Sequence, residues 1–239
     1  MPYTIDLHTH SVASNHAYST IQEMAAQAAK NGISTFALTD HGPALPGGPH
    51  IYHFANMRIL PSHIDGVEIL KGIEANIVSV DGALDVEERR LKALDIVLAG
   101  FHHGTGYDPS DDVSDNTSAA VSAISSGLVD VLCHPGNPDY PIDFITVIEA
   151  AVKHDVALEF NNSSFRMSRR GSADNCRQLL KLAKDAGVFI SLGSDAHISF
   201  DVGRNDVVEE MGLRIGYPEH LVLNSSRSVL AKFLQKRHT

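Results

Sequence analysis

Apolar residues in this chain form short runs rich in β-branched side chains, and each run is separated from the next by a longer stretch with helical spacing. Apolar runs of about 4–8 residues, bounded by glycine, asparagine or serine, are typical of buried β-strands. The pattern predicts seven strands, at residues 3–7, 33–38, 67–73, 95–99, 129–133, 156–160 and 188–192.

The stretches between these runs carry helix signals. Thr20 and Glu23 have the spacing of a capping box ahead of the alanine-rich residues 24–30, and Gly32 suits the end of that helix. Further helices are predicted at residues 116–126, 144–154, 173–186 and 226–237, with Ser172 capping the third of these four. Alternation of strands and helices along the whole chain predicts parallel strands joined by helical crossovers, and therefore an α/β fold.

A histidine or a carboxylate follows six of the seven predicted strands, always at the same end. These residues are His8 and His10, Asp40 and His41, Glu74, His102 and His103, His134, and Asp195 and His197. In a parallel barrel all of these strand ends meet on one face. An open doubly wound sheet binds ligands only in the crevice at its switch point. The regularity therefore favours a closed or nearly closed barrel.

The composition is that of a folded domain. Hydrophobic residues make up 43% of the 239 residues, and α/β barrels of this size commonly form one domain, so we expect a single domain over residues 1–239. A formal charge of −10 argues against a broad basic surface for nucleic acid. With two cysteines, no leader pattern and no apolar run of membrane length, we expect a cytoplasmic protein without disulfides or membrane contact.

The residue types indicate metal chemistry. Imidazole and carboxylate side chains together suit zinc, manganese or iron. His8 and His10 flank Thr9, so in an extended chain both side chains point the same way. A carboxylate such as Glu74 can bridge two ions, and ions about 3.5–4 Å apart can share a hydroxide that attacks a phosphoryl group. So many candidate ligands exceed what one ion can use, because a catalytic zinc takes about three protein ligands, and about nine ligands would suit three ions.

The motifs resemble those of the PHP (polymerase and histidinol phosphatase) superfamily. They are His8-Thr9-His10, Thr39-Asp40-His41, Glu74, His102, His134-Pro135-Gly136 and Asp195-Ala196-His197. The resemblance covers almost the entire chain, and residues 16–20, 54–59 and 161–165 are most similar to bacterial YcdX-type phosphatases of that superfamily. It implies a distorted TIM-like (βα)7 barrel with a trinuclear metal centre, zinc being the expected metal and manganese or iron the alternatives.

Carried over residue by residue, the resemblance implies a ligand set for each ion. The first ion is held by His8, His10, Glu74 and Asp195, the second by Glu74, His102 and His134, and the third by His16, His41 and His197. Glu74 is then the bridging ligand, and Glu74 and Asp195 are the predicted catalytic residues. All nine positions are filled, so a degenerate, non-catalytic site is not indicated.

Other polar residues near these motifs receive supporting roles. Phosphate-binding side chains are predicted after the sixth strand, at Arg166, Arg169 and Arg170, since guanidinium groups match phosphate oxygens. The alternative is a solvated basic turn. Asp40 is predicted to orient a histidine ring. His50 and His53 lie in a loop that either covers the site or is exposed to solvent, and His103 does not match the motif that His102 fills.

These features predict a metal-dependent phosphatase that hydrolyses a small phosphorylated molecule with a hydroxide bridging the metal ions. The alternatives are a histidinol-phosphate phosphatase, a phosphodiesterase or exonuclease, and a non-catalytic metal-stabilised binding module. The net charge and the lack of a lysine-aromatic groove argue against nucleic acid as partner. The sequence leaves open the substrate, the native metal, the general acid and whether the protein is a homo-oligomer.

Overall fold

The computed structural model describes residues 3–108, 112–166 and 168–235. The strands are β1 (Ile5–Thr9), β2 (Thr35–Leu38), β3 (His63–Ile64), β4 (Val67–Asn76), β5 (Ile96–Gly100), β6 (Val131–Leu132), β7 (Ala157–Asn161) and β8 (Ile190–Gly193). Within the described residues, seven of them run parallel in the order β1-β2-β4-β5-β6-β7-β8, and β3 pairs antiparallel with β4. The seven predicted strands are confirmed, and β3 is additional.

Helices connect and flank these strands. They are α1 (Ile21–Lys30), α2 (Tyr52–Asn56), α3 (Glu88–Leu91), α4 (Val113–Ser125), α5 (Phe144–His154), α6 (Ser172–Ala186), α7 (Asp206–Ile215) and α8 (Arg227–Leu234). Short 3-10 helices lie at Val12–Ser14, Met57–Ile59, Ser163–Phe165, Ser199–Asp201, Glu219–Leu221 and Leu223–Ser225. Among the described residues, no helix has the length and apolar composition that a membrane span requires.

The strand ends differ from the prediction where polar residues are buried. Hydrophobicity alone ends the first strand at Leu7 and the third at Ile73, whereas β1 continues to Thr9 and β4 to Asn76. His8, Glu74 and Asn76 are completely buried in these extensions. Since polar side chains fill the mouth of the barrel, the apolar pattern stops before the strands do.

The helix signals hold in most places. The capping box is present, with the Thr20 hydroxyl accepting from the Glu23 N–H and the Glu23 carboxylate accepting from the Thr20 N–H. The prediction of Ser172 as a cap was wrong, because Ser172 is the first helical residue and its hydroxyl donates to the Arg169 carbonyl at 2.8 Å. Helices α2, α3 and α7 were not predicted. The predicted residues 236 and 237 of the last helix lie outside the described residues.

A β-bulge in β1 sets the direction of the first histidines. Asp6 pairs with Phe36 but Thr9 pairs with Leu38, so β1 has one more residue than β2 between these pairs. Such an extra residue changes which side chains face the interior. Leu7 belongs to the apolar interior of the barrel, and the bulge allows His8 to turn inward as well. The first candidate metal ligand, His8, therefore lies directly above the apolar core of the barrel.

The sheet closes on itself at the carboxyl ends of the strands. The Asp195 N–H donates to the His8 carbonyl and the His10 N–H to the Ala196 carbonyl, both at 2.9 Å. Lower down, the buried Asn224 side chain bridges β1 and β8. The result is a nearly closed α/β barrel of the TIM type, as predicted.

The core has an inner and an outer part. Inside the barrel, apolar residues of the strands, including Leu7, Leu70 and Leu98, pack against Leu230 and Phe233 of α8. Outside it, larger clusters pack the other face of the sheet against the helices. Since α8 fills the lower end of the barrel, the polar interior is confined to the mouth.

Candidate metal centre

The structure brings the nine predicted ligands together at the mouth of the barrel. They are His8, His10, His16, His41, Glu74, His102, His134, Asp195 and His197. Exposure increases across the cluster. The side chains of His8, His10 and Glu74 are fully buried, that of His102 is 10% exposed and that of His197 is 30% exposed. Solvent therefore reaches the cluster from the side of His197.

The atoms of His8, His10, Glu74 and Asp195 have the spacing of a tetrahedral metal site. His8 Nε2 lies 3.0 Å from His10 Nε2 and 3.2 Å from Glu74 Oε2. Asp195 Oδ1 lies 3.2 Å from His10 Nε2 and 3.7 Å from His8 Nε2. Two donors bound to one tetrahedral zinc ion lie about 3.3 Å apart. The donor set and its spacing therefore fit an ion of this kind.

The other carboxylate oxygen of Glu74 faces a second pair of histidines. Glu74 Oε1 lies 3.1 Å from His102 Nε2 and 2.9 Å from His134 Nε2. The two oxygens of one carboxylate thus serve two different groups of imidazoles. That is the geometry a bridging ligand requires.

His16, His41 and His197 form the outer part of the cluster. His16 Nε2 lies 3.0 Å from His197 Nε2, and the rings of His16 and His41 are stacked at 5.1 Å. One donor atom from each of His10, His41 and His197 can be placed within metal-binding distance of the others. Imidazole nitrogens that face one another at 3.0 Å either share a proton or bind a common cation.

His41 also lies next to the proposed bridging ligand. Its Nδ1 is 2.8 Å from Glu74 Oε2, but the contact lacks hydrogen-bond geometry, and neither atom has another hydrogen-bond partner among the described residues. Buried polar atoms without partners are costly in a folded protein. Two such atoms at the centre of a histidine cluster independently support a cation there.

Neighbouring acceptors fix which nitrogen of each imidazole faces the cluster. His8 Nδ1 lies 2.6 Å from Glu159 Oε1, and His102 Nδ1 lies 2.8 Å from Asn76 Oδ1. His197 Nδ1 faces the Asp195 carbonyl at 2.9 Å. Because these oxygens accept, each ring directs its Nδ1 N–H to them and turns Nε2 toward the cluster. Sequence reasoning gave Glu159 and Asn76 no role, although Glu159 stands at the end of the sixth predicted strand.

Asp40 supports the cluster from outside it. Its Oδ1 accepts from the Ser14 hydroxyl at 2.8 Å, and Ser14 Oγ lies 3.4 Å from His10 Nδ1. Asp40 is thus connected to His10 through Ser14 and does not reach the centre itself. Its other oxygen lies 2.9 Å from His53 Nε2.

The local electrostatics favour metal-binding protonation states at Glu74, Asp195, His134 and His10. At His8 the effect of burial is outweighed by nearby carboxylates, Glu159 foremost, which raise its pKa well above the ordinary value, so a metal ion bound there must displace a proton. Burial alone would raise the pKa of Glu74, but the surrounding histidines, His8 foremost, hold it well below its ordinary value. The same balance lowers the pKa of Asp195. Burial lowers the pKa of His134 to about 4 and that of His10 well below its ordinary value. At neutral pH the carboxylates are charged and these two imidazoles are neutral, as metal ligands must be.

Backbone geometry also places these side chains. His134 and Asp195 have positive φ angles of 34° and 55°, which non-glycine residues adopt rarely and chiefly at functional sites. Gly193 allows β8 to approach β1, since a Cβ there would lie 2.7 Å from His8 Cβ and against the Glu159 carboxylate. A side chain at position 193 would therefore displace both His8 and the group that orients it.

The remaining candidate histidines lie away from the centre. His103 points to solvent beside Asp139, and His50 is exposed. His53 is half-buried against Asp40. Cys133 lies near His8 and Glu74, but burial raises the pKa of its thiol well above the ordinary value, so it remains protonated and is a poor ligand.

Of the three predicted arginines, Arg169 is directed to the cluster. Its Nη1 lies 3.2 Å from Asp195 Oδ2 and 3.0 Å from Ser168 Oγ. Arg166 pairs with Asp206 at the surface, and Arg170 is exposed. A cation beside the carboxylate of Asp195 can also contact an anion bound at the mouth.

Comparisons with known proteins agree with this fold. A barrel with a buried histidine and carboxylate cluster at its mouth defines a class of metal-binding α/β proteins, and residues 6–163 match the family model described as PHP domain. The chain is 50% identical over 233 residues to a probable phosphatase of Caldanaerobacter subterraneus subsp. tengcongensis. The alignment covers 98% of this chain and 91% of the relative. The chain belongs to the PHP domain family.

A second relative supports the resemblance to YcdX-type phosphatases. The probable phosphatase YcdX of Escherichia coli O127:H6 is 49% identical over 235 residues, covering 98% of this chain and 95% of the relative. Among solved structures, the histidinol phosphate phosphatase of Lactococcus lactis, complexed with zinc, L-histidinol and phosphate, superposes with a TM-score of 0.59. That match has 15% identity and covers 89% of this chain and 95% of the other, so it establishes the shared fold only.

Proposed function

We propose that this protein is a phosphomonoesterase that hydrolyses a small phosphorylated molecule at a centre of three divalent metal ions. The coarser activity, hydrolysis of phosphate esters, is that of the probable phosphatases to which the chain is about half identical over nearly its whole length. The observation that carries the finer proposal is the position of Glu74, whose two carboxylate oxygens face separate groups of histidines. Residues 1–239 are proposed to form one domain.

Three ions are proposed, in the sets implied by the family resemblance. The first ion would be held by His8, His10, Asp195 and Glu74. The second would be held by Glu74, His102 and His134, and the third by His16, His41 and His197. Zinc is proposed, with manganese or iron as alternatives, because imidazole and carboxylate ligands accept all three metals. Bound ions of this kind supply Lewis acidity and lower the pKa of a water molecule that attacks phosphorus.

The chain's own side chains orient the reaction. Glu159, Asn76 and Ser14 fix the imidazole rings, so the ligands need little rearrangement during turnover. Arg169 is proposed to bind a phosphoryl oxygen from the side of Asp195. In the reaction, an oxygen of water forms the new bond to phosphorus, the ester P–O bond breaks, and the alcohol leaves with a proton.

An activity assay tests this proposal. Purified protein with its metal content measured should hydrolyse p-nitrophenyl phosphate, lose that activity after chelation, and recover it when zinc or manganese is restored. The metal content should be close to three ions per chain. Hydrolysis of bis(p-nitrophenyl) phosphate in place of the monoester would favour a phosphodiesterase. Metal binding without any hydrolysis would favour a binding module.

Kinetics of single arginine variants test the role of Arg169. A charge-assisted hydrogen bond to phosphate contributes about 1.5–3 kcal/mol, so Arg169→Ala should lower kcat/KM about 10- to 100-fold. Arg166→Ala and Arg170→Ala should stay within about twofold of wild type, because surface ion pairs contribute little. Metal content must be checked, since Arg169 also contacts Asp195. An Arg169→Ala enzyme with wild-type kinetics would return this segment to the role of a solvated turn.

A further inference from the structure

The entrance to the metal centre lies beside His16 and His197. His8, His10 and Glu74 are closed off from solvent, whereas His16 is exposed and the side chain of His197 is 30% exposed. Arg169 lies on the inner side, against Asp195. A phosphate ester that places its phosphoryl oxygens inward must therefore extend its alcohol part past His16 and His197.

Tyr18 stands on the same side of its segment as His16. Residues 16–20 alternate, with Ala17 and Ser19 buried and His16, Tyr18 and Thr20 exposed. This alternation places the Tyr18 side chain on the exposed side of the segment, together with that of His16. The Tyr18 N–H donates to the His197 carbonyl at 2.8 Å, which holds the segment at the entrance. The Tyr18 side chain is 77% exposed.

Phe200 lies in the segment that follows His197. It lies in the 3-10 helix Ser199–Asp201, three residues after His197, and is 71% exposed. The Ser199 N–H donates to Ser19 Oγ at 2.9 Å, which ties the segment of Phe200 to that of Tyr18. Two large exposed aromatic rings therefore stand on adjoining backbone segments, Tyr18 two residues after His16 and Phe200 three residues after His197.

We propose that Tyr18 and Phe200, here called the aromatic rim, bind the leaving group of the substrate, and that this group is planar and aromatic or heteroaromatic. The inference rests on the proposed phosphomonoesterase function and names its substrate class. Single exposed apolar residues are ordinary on protein surfaces. Two exposed aromatic residues at the mouth of a buried polar site can each offer a ring face to a flat ligand. Pairs of aromatic rings prefer offset or edge-to-face stacking.

Non-hydrolysable inhibitors separate this contact from leaving-group reactivity. Phenylphosphonate and methylphosphonate carry the same anionic group but differ in the ring, and neither has an ester bond to break. Inhibition constants against p-nitrophenyl phosphate, measured at one pH, should favour phenylphosphonate by about tenfold for the wild type. Tyr18→Ala should reduce that preference about five- to tenfold, Phe200→Ala should reduce it less, and Tyr18→Phe should retain it.

A matched control is Leu213→Ala, which removes an apolar side chain that is 72% exposed on α7, outside the entrance segments. It should leave the preference unchanged, and metal content should equal that of wild type in every variant. Equal inhibition of the wild type by both phosphonates, or an unchanged preference in Tyr18→Ala, would overturn the aromatic rim while phosphatase activity persists. A wild type that hydrolyses no phosphomonoester would instead overturn the proposed function.

Discussion

Glu74→Gln should leave a folded protein whose phosphatase activity is more than about 100-fold below wild type. Loss of a residue that merely supports a metal ligand costs about 10- to 100-fold, and Glu74 is proposed to be a ligand to two ions. The amide keeps the volume of the side chain but removes the negative charge, and places N–H donors against histidine nitrogens that lie 2.8–3.5 Å away. We expect fewer than two metal ions per chain.

The control for this variant is His63→Ala, because His63 is an exposed histidine on β3, remote from the cluster. It should keep activity and metal content within about twofold of wild type, as expected for a surface residue. Melting temperatures of chelated samples distinguish a local defect from unfolding. A Glu74→Gln enzyme that remains active with full metal content would contradict the bridging role. An unfolded variant would indicate that Glu74 is chiefly structural.

The predictable part of this protein is the order of its strands and the chemistry at their ends. Strands of parallel sheets are buried on both faces, so they stand out in the sequence as continuous apolar runs. Polar residues that follow such runs, such as His41 and His134, are then conspicuous. Closure into a barrel follows because nearly every strand end carries a candidate ligand.

The parts that sequence could not predict depend on contacts between distant segments. The bulge in β1 is visible only as a change of register against β2, and without it His8 would not share the interior with Leu7. Glu159 received no role from the sequence, although it orients His8 from 151 positions away. Ser172 was predicted to be a cap because it is a serine just before a helical pattern. The local sequence does not show that its hydroxyl bonds to the Arg169 carbonyl instead.

Asn224 is another long-range feature without a local signal, and Asn224→Ala should destabilise the protein by about 3–5 kcal/mol. Its Oδ1 accepts from the Leu192 N–H at 2.7 Å, and its Nδ2 donates to the Leu192 and Ile5 carbonyls at 2.8 and 2.9 Å. These bonds replace direct pairing between β8 and β1 at this level. Alanine would leave buried backbone groups unsatisfied on both strands, each costing about 1–3 kcal/mol.

Thermal unfolding measures this effect, and each kcal/mol should lower Tm by about 2–4 °C in a chain of this size, so a fall of roughly 10 °C is expected. The matched control is Asn175→Ala, since the half-buried Asn175 donates to the Gly136 carbonyl at 3.0 Å from within α6. Alanine also has a higher helix propensity, so this variant should change stability by less than about 1 kcal/mol. If Asn224→Ala melted within about 2 °C of wild type, the barrel would be held closed by the backbone bonds near His8 and Asp195 instead. A large fall in Tm that is seen for Asn224→Ala and not for Asn175→Ala would show that the Asn224 side chain holds β1 and β8 together.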